Sequence, residues 1–169
     1  MQLRLSRLAT VMVPAATTVL LLAAVTSALA ASGPAVRGGG VVDGPLGTTS
    51  QLGFTATSSG GSFLCVMAGR SGGFPFGPWE SIQQMHVQGE VTPGSLSITG
   101  GVATFSGTAT IHVIGTTSSG IFATTLSDVP FVSMQAAGGA GVAWHLLDVP
   151  GIGAFGPEKM KTGRITIWP

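Results

Sequence analysis

Ser71 stands in Gly69-Arg70-Ser71-Gly72-Gly73, the GxSxG spelling of a hydrolase nucleophile elbow, in which a serine on a strained strand-to-helix turn is activated by a base. The next residues, Phe74-Pro75-Phe76-Gly77-Pro78, remove the helix such an elbow needs, so the match reads as a turn. Gly151-Ile152-Gly153-Ala154-Phe155-Gly156 spells GxGxxG. A dinucleotide would require a helix opening there and an acid about 20 residues further on. Pro157 follows instead and the sequence stops at Pro169, so the stretch reads as a glycine-rich loop between strands and no cofactor is expected.

His86, His112 and His145 could in principle meet at a metal, but none has ligand spacing and there is no second cysteine, so no metal site is expected. His86 and His112 fall on polar faces of expected strands, where they could meet across a sheet. His145, beside Trp144, reads as a satisfied interior or edge histidine. Cys65 shares an apolar face with Phe63 and Met67, and burial there makes a thiol inert, which argues against a Cys65–His86 nucleophile. Glu80 and Glu90 flank a loop, and Asp128 and Asp148 neighbour prolines, so no carboxylate pair suited to glycosidase chemistry can be placed and no catalytic residue is assigned. Phe74, Phe76 and Trp79, set among glycines and prolines, are the ligand-binding candidates: a lid or platform at a barrel mouth, or a plug for the end of the core.

The elements that must carry these residues are strands. Gln51–Thr57 alternates with Leu52, Phe54 and Ala56 on one side; Ser58-Ser59-Gly60-Gly61 turns the chain; and Phe63–Met67 returns, a hairpin pattern. Met85, Val87, Gly89 and Val91 share a face opposite His86, Gln88 and Glu90, and a short strand starts at Leu96 and Ile98. The longest alternation runs from Val102 to Val113 with Gly107 at a bend. Further strands are expected at Ile121–Leu126, Phe131–Ala136, Val142–Leu147 and Arg164–Trp168, divided by Gly115–Gly120, Pro130, the glycines at 138, 139 and 141, and a loop from Pro150 to Lys161. Eight or nine short strands without a helix spell an antiparallel sandwich or barrel, and the long strand favours closure because it would otherwise present a long edge.

Composition agrees. Twenty-seven glycines disfavour helices and supply turns. The first thirty residues have the form of a secretory signal peptide. Arg4 and Arg7 precede the apolar run Leu8–Val25, and Ala28-Leu29-Ala30 suits cleavage between Ala30 and Ala31. Pro14 and three threonines interrupt a run only just long enough to span, so no stable membrane anchor is expected after cleavage. With the leader removed, five cations face six acids, and the only basic cluster, Lys159, Lys161 and Arg164, fits a solvated strand end, which gives no footing for nucleic acid. A lone cysteine excludes an internal disulfide. Residues 31–50, with Gly38-Gly39-Gly40 and Pro45, read as a flexible glycine-rich lead-in holding at most a short strand at Val41-Val42, followed by a single all-β domain over 51–169.

The order Gly38-Gly39-Gly40, Leu52-Gly53-Phe54-Thr55-Ala56, Ile98-Thr99-Gly100-Gly101-Val102-Ala103-Thr104-Phe105-Ser106-Gly107 and Gly163-Arg164-Ile165-Thr166-Ile167 resembles a loose group of small secreted bacterial all-β proteins of unassigned function. The resemblance implies a secreted β-domain and transfers no functional residue. The expectation is a secreted or extracellular domain, periplasmic or cell-surface if an envelope retains it, acting without catalysis in binding or structure. The alternative is a barrel that carries or rearranges a small apolar ligand, with His86, His112 or Glu90 pointing inward; a hydrolase ranks third.

Overall fold

The structure is a computed structural model that describes residues 33–44, 49–68 and 81–169. The cleavage point at Ala30 and Ala31, Ser71, Glu80 and the ligand-binding candidates Phe74, Phe76 and Trp79 lie outside the described residues. Ten strands follow one another: β1 (Ala35–Asp43), β2 (Thr49–Thr57), β3 (Gly60–Ala68), β4 (Ser81–Val91), β5 (Ser97–Thr99), β6 (Val102–Thr117), β7 (Gly120–Ala136), β8 (Gly138–Gly139), β9 (Trp144–Val149) and β10 (Gly153–Trp168). Eight of them pair antiparallel in the order β1-β2-β3-β4-β6-β7-β9-β10, and β10 pairs back onto β1. The fold is a closed antiparallel barrel, and the sandwich alternative is set aside. β5 and β8 are short additions to β6 and β10.

The ladder is strongly staggered. From Asp43, successive partners in one direction are Thr49, Ala68, Gln84, Ile114 and Ala123 on β7. In the other direction they are Lys159, Trp144 and Ala136, which lies at the far end of the same β7. Such a stagger tilts the strands against the axis and widens the ring, so an eight-stranded barrel has room for large side chains or one small ligand.

Period-two alternation decides what faces inward. Along β6, Ala103, Phe105, Ala109, Ile111 and Val113 are buried while the hydroxyls and His112 between them face outward. Phe63 stacks on Phe131 at 4.9 Å, and Phe105 meets both Phe63 and Phe131 edge-on at 6.1 and 6.4 Å. Each ring buried this fully contributes about 1.5–3 kcal/mol. Two glycines make room for the cluster: a Cβ on Gly89 or Gly107 would stand 2.8 Å from a Phe131 ring carbon. The outward face of β4 and β6 carries Gln88, Glu90, Thr108, Thr110 and His112 together with the exposed Ile114.

Three sequence expectations are corrected. The lead-in over 31–50 contains a full strand, β1, which closes the ring; its glycines hid it because Gly38 to Gly40 lack the alternating side chains that announce a strand. The two strands divided at Pro130 are one strand, β7, in which Asp128 takes φ 56° where the register against β6 shifts. Most of the loop expected from Pro150 to Lys161 is strand: β10 begins at Gly153 and pairs with β9, slipping register between Phe155 and Glu158 around Gly156-Pro157.

Candidate functional site

One sector of the inner wall is polar. Ser50, Ser133, Gln135, His145 and Glu158 are all at most 2 % exposed, in a core otherwise made of Val, Leu, Ile, Met, Ala and Phe, with Cys65 among them. Adjacent strands place them: Gln135 on β7 faces His145 on β9, and His145 in turn faces Glu158 on β10. Ser50, at the start of β2, reaches across to Glu158 and donates from Oγ to Oε1 at 2.9 Å. The Phe63 ring lies 5.9 Å from the His145 ring, so the polar sector abuts the aromatic cluster.

The hydrogen bonds fix the imidazole tautomer. Ser133 gives its one hydroxyl proton to the Leu146 carbonyl at 3.3 Å and therefore accepts from Gln135 Nε2 at 2.7 Å. The second amide proton of Gln135 goes to His145 Nδ1 at 2.8 Å, which leaves the imidazole proton on Nε2. Two atoms are then buried without a partner, the acceptor Gln135 Oε1 and the donor His145 Nε2. Leaving a buried polar atom unpaired costs about 1–3 kcal/mol, and here one acceptor and one donor are left so.

Burial also sets ionisation. It lowers the His145 pKa to about 3, so the ring is neutral under ordinary conditions. Glu158 is pushed up to about 7 by burial, an effect the Ser50 hydrogen bond opposes and the Asp43 carboxylate reinforces. A carboxyl poised there can hold or release a proton near neutrality. Burial, then the nearby Glu158, drives the Cys65 thiol well above its ordinary range, with Ser50 offsetting part of the rise. Cys65 is thus a buried, unreactive thiol, as its place between Phe63 and Met67 indicates.

The residues expected to face a pocket from the barrel wall face outward. His86 and His112 are register partners on β4 and β6 and stack at 5.9 Å, and His112 Nδ1 lies 2.8 Å from Thr125 Oγ1. Together with Gln88, Glu90, Thr108, Thr110 and Asp128 they line an open trough of about 870 Å³ on the outside of β3, β4 and β6. Even numbering on β4 puts His86 and Glu90 outside, since Met85, Val87 and Val91 fill the core. Of the three histidines only His145 faces inward, and only its Nδ1 is satisfied.

Ser50, Ser133, Gln135 and Glu158 were not anticipated as site residues. Parity carries a signal for three of them: Ser50 is in phase with Leu52 and Phe54, and Ser133 and Gln135 are in phase with Phe131. The basic cluster is exposed as expected, but it lies along the middle of β10 and not at a strand end, with Lys161 Nζ 3.4 Å from Asp43 Oδ1 in a solvated pair. Comparison of this chain with protein-family models, with curated proteins and with solved structures finds no match.

Proposed function

We propose that this domain is an exported barrel that binds a small, largely apolar molecule in its interior. The reading rests on one observation: a donor and an acceptor, both fully buried, stand unpaired beside an aromatic cluster inside a steeply staggered barrel. A core built for stability alone would hold a leucine or phenylalanine at 135 and 145, because an apolar pair of similar shape removes two desolvation costs. A bound molecule supplies the missing partners and offsets them. Ionisation of Glu158 near neutrality gives the same interior a group able to move a proton on the ligand, the route by which carriage would become rearrangement.

The direct test is native mass spectrometry of the protein purified from culture supernatant, followed by solvent extraction. Binding predicts a retained small molecule, or saturable uptake of apolar probes by the stripped protein; neither in a folded sample would defeat the reading. The outer trough with its stacked histidines favours a second reading, in which a polar ligand docks on the outside of β4 and β6. Chemical-shift changes confined to His86 and His112 on ligand addition would select it.

A further inference from the structure

Strand β7 has an edge that the ring uses only in part. β6 pairs with β7 from Gly120 to Ala136, whereas β9 meets the opposite edge only from Val132 to Ala136. Among the described residues no strand lies along that opposite edge between Gly120 and Phe131. The hairpin fixes which backbone groups the edge presents. Thr117 and Gly120 face one another across the two-residue turn at Ser118 and Ser119, so Gly120, Phe122, Thr124 and Leu126 direct their main-chain groups to β6. Ile121, Ala123 and Thr125 direct theirs to the open side.

Such edges are commonly blunted by charge, proline or a bulge. Here neither a charged residue nor a proline occurs from Gly115 to Ser127, and the register against β6 shifts only beyond Leu126. The outward face beside the edge is apolar as well. Ile121 is 76 % exposed and Ile114 39 % exposed, and Ala123, the register partner of Ile114, is exposed with them.

We infer that this edge pairs with a second copy of the chain, the two β7 strands lying antiparallel about a two-fold axis at Ala123. The regular part of the edge is symmetric about that residue: Ile121 falls opposite Thr125 of the partner subunit, and Ala123 falls opposite its own counterpart. Each such pair exchanges two main-chain hydrogen bonds, and the contact is isologous, so it closes as a dimer. Charge fits a copy too. Identical edges meet without repulsion only if both are uncharged where they face, and the two copies of Asp128 would stand ten residues of strand apart, about 33 Å. The same register sets the exposed Asp128 carboxylate level with the hydroxyls of the partner's turn, which lies above Val132, where pairing with β9 ends. A foreign strand would find the same main-chain groups, but the edge carries no charge to select one.

The seam is short, so the dimer belongs among weak associations that depend on concentration. Sedimentation velocity of the exported protein from about 10 µM to about 1 mM should show the monomer giving way to a species of twice its mass. Ala123→Lys and Ala123→Glu each set like charges face to face at the axis, on an outward side chain that leaves the β6 ladder intact. Each variant should stay monomeric, with the circular dichroism and unfolding midpoint of the parent. Mixed in equal amounts they should regain the dimer, because opposite charges then meet at the axis. Ala123→Pro, which deletes an N–H aimed at the open side, should also abolish it. A parent that stays monomeric throughout, or a dimer that survives in A123K, overturns the inference. So does a mixture of the two folded charge variants that stays monomeric, since the copies would then not meet at Ala123. Retention of a monomeric parent on an immobilised uncharged strand peptide of unrelated sequence would give the edge to a foreign strand and overturn the second copy equally.

Discussion

Two buried titratable groups on neighbouring strands pull the pH dependence of stability in opposite directions, and single substitutions should separate them. Glu158 is raised from 4.5 to about 7 in the folded protein. Between those values the unfolded chain has released a proton that the folded chain still holds, so this contribution is fully present below pH 4.5 and is lost as pH rises toward 7. His145 is lowered from 6.5 to about 3. Between those values the unfolded chain binds a proton that the folded chain refuses, so its contribution is present above pH 6.5 and is lost as pH falls toward 3. In the shared window from pH 4.5 to 6.5 each slope approaches about 1.4 kcal/mol per pH unit, with opposite sign, and the two largely cancel.

Glu158→Gln keeps an acceptor for Ser50 and deletes one slope; stability relative to the unaltered protein should then rise by about 2–3 kcal/mol on going from pH 4.5 to 6.5. His145→Gln deletes the other slope, and the relative stability should fall by about the same amount over the same interval. Urea midpoints at pH 4.5, 5.5 and 6.5 give the answer, and taking differences between variant and unaltered protein removes the titration of all exposed groups. Profiles for Glu158→Gln and the unaltered protein that run parallel across this window would refute the claim that the Glu158 carboxyl is protonated inside the barrel at mildly acidic pH.

Three further outcomes are expected. Cys65, buried with its thiol pKa raised, should resist a thiol reagent in native buffer at pH 8 and react fully in urea; rapid native modification would place it at the surface. Gly107→Val should cost at least the roughly 1–3 kcal/mol typical of overpacking, because the new Cβ would run into the Glu90 carbonyl oxygen and stand 2.8 Å from the Phe131 ring, neither of which has a free direction to move; an unfolding midpoint equal to the parent's would contradict the packing described. Intact mass of the exported protein should begin at Ala31, and a mass that begins at Met1 would contradict the export reading.

What the sequence discloses follows the regularity of each strand. The alternation from Val102 to Val113 is unbroken, and β6 is there with Gly107 facing the core. The hairpin of β2 and β3 turns at Ser58 and Ser59, with Gly60 already in strand at φ 106°. β10 defeats the same reading because its phase changes twice. Phe155 is buried and so are Glu158 and Met160, three residues and then two further on, and Ile165 is buried again at the other parity. The slips lie between Phe155 and Glu158 against β9 and between Thr162 and Met160 against β1. Each reverses which residues face inward, so a charged residue in this stretch looks like surface. That is how Glu158 reached the interior unannounced. His86 and His112 were legible as a cross-strand pair because neither β4 nor β6 slips between them.

The polar sector admits a competing account, in which Ser133, Gln135 and His145 exist to hold the six-residue β9 in register against β7. Register pairing explains the bonds that are made: Ser133 to the Leu146 carbonyl and Gln135 to His145 both cross from β7 to β9. It does not explain the bonds left unmade, since an apolar pair at 135 and 145 would leave neither atom stranded and β9 would keep its ladder. Nor does it explain why the unpaired atoms are one acceptor and one donor beside aromatic rings, with a carboxyl that titrates near neutrality on the next strand. The two accounts part on a single variant. If the polar pair serves register, the double variant Q135L/H145F loses stability as β9 slips; if it serves a ligand, the same protein is at least as stable as its ligand-free parent, because two unpaired buried atoms have gone, and what it loses is affinity for the molecule held in the interior.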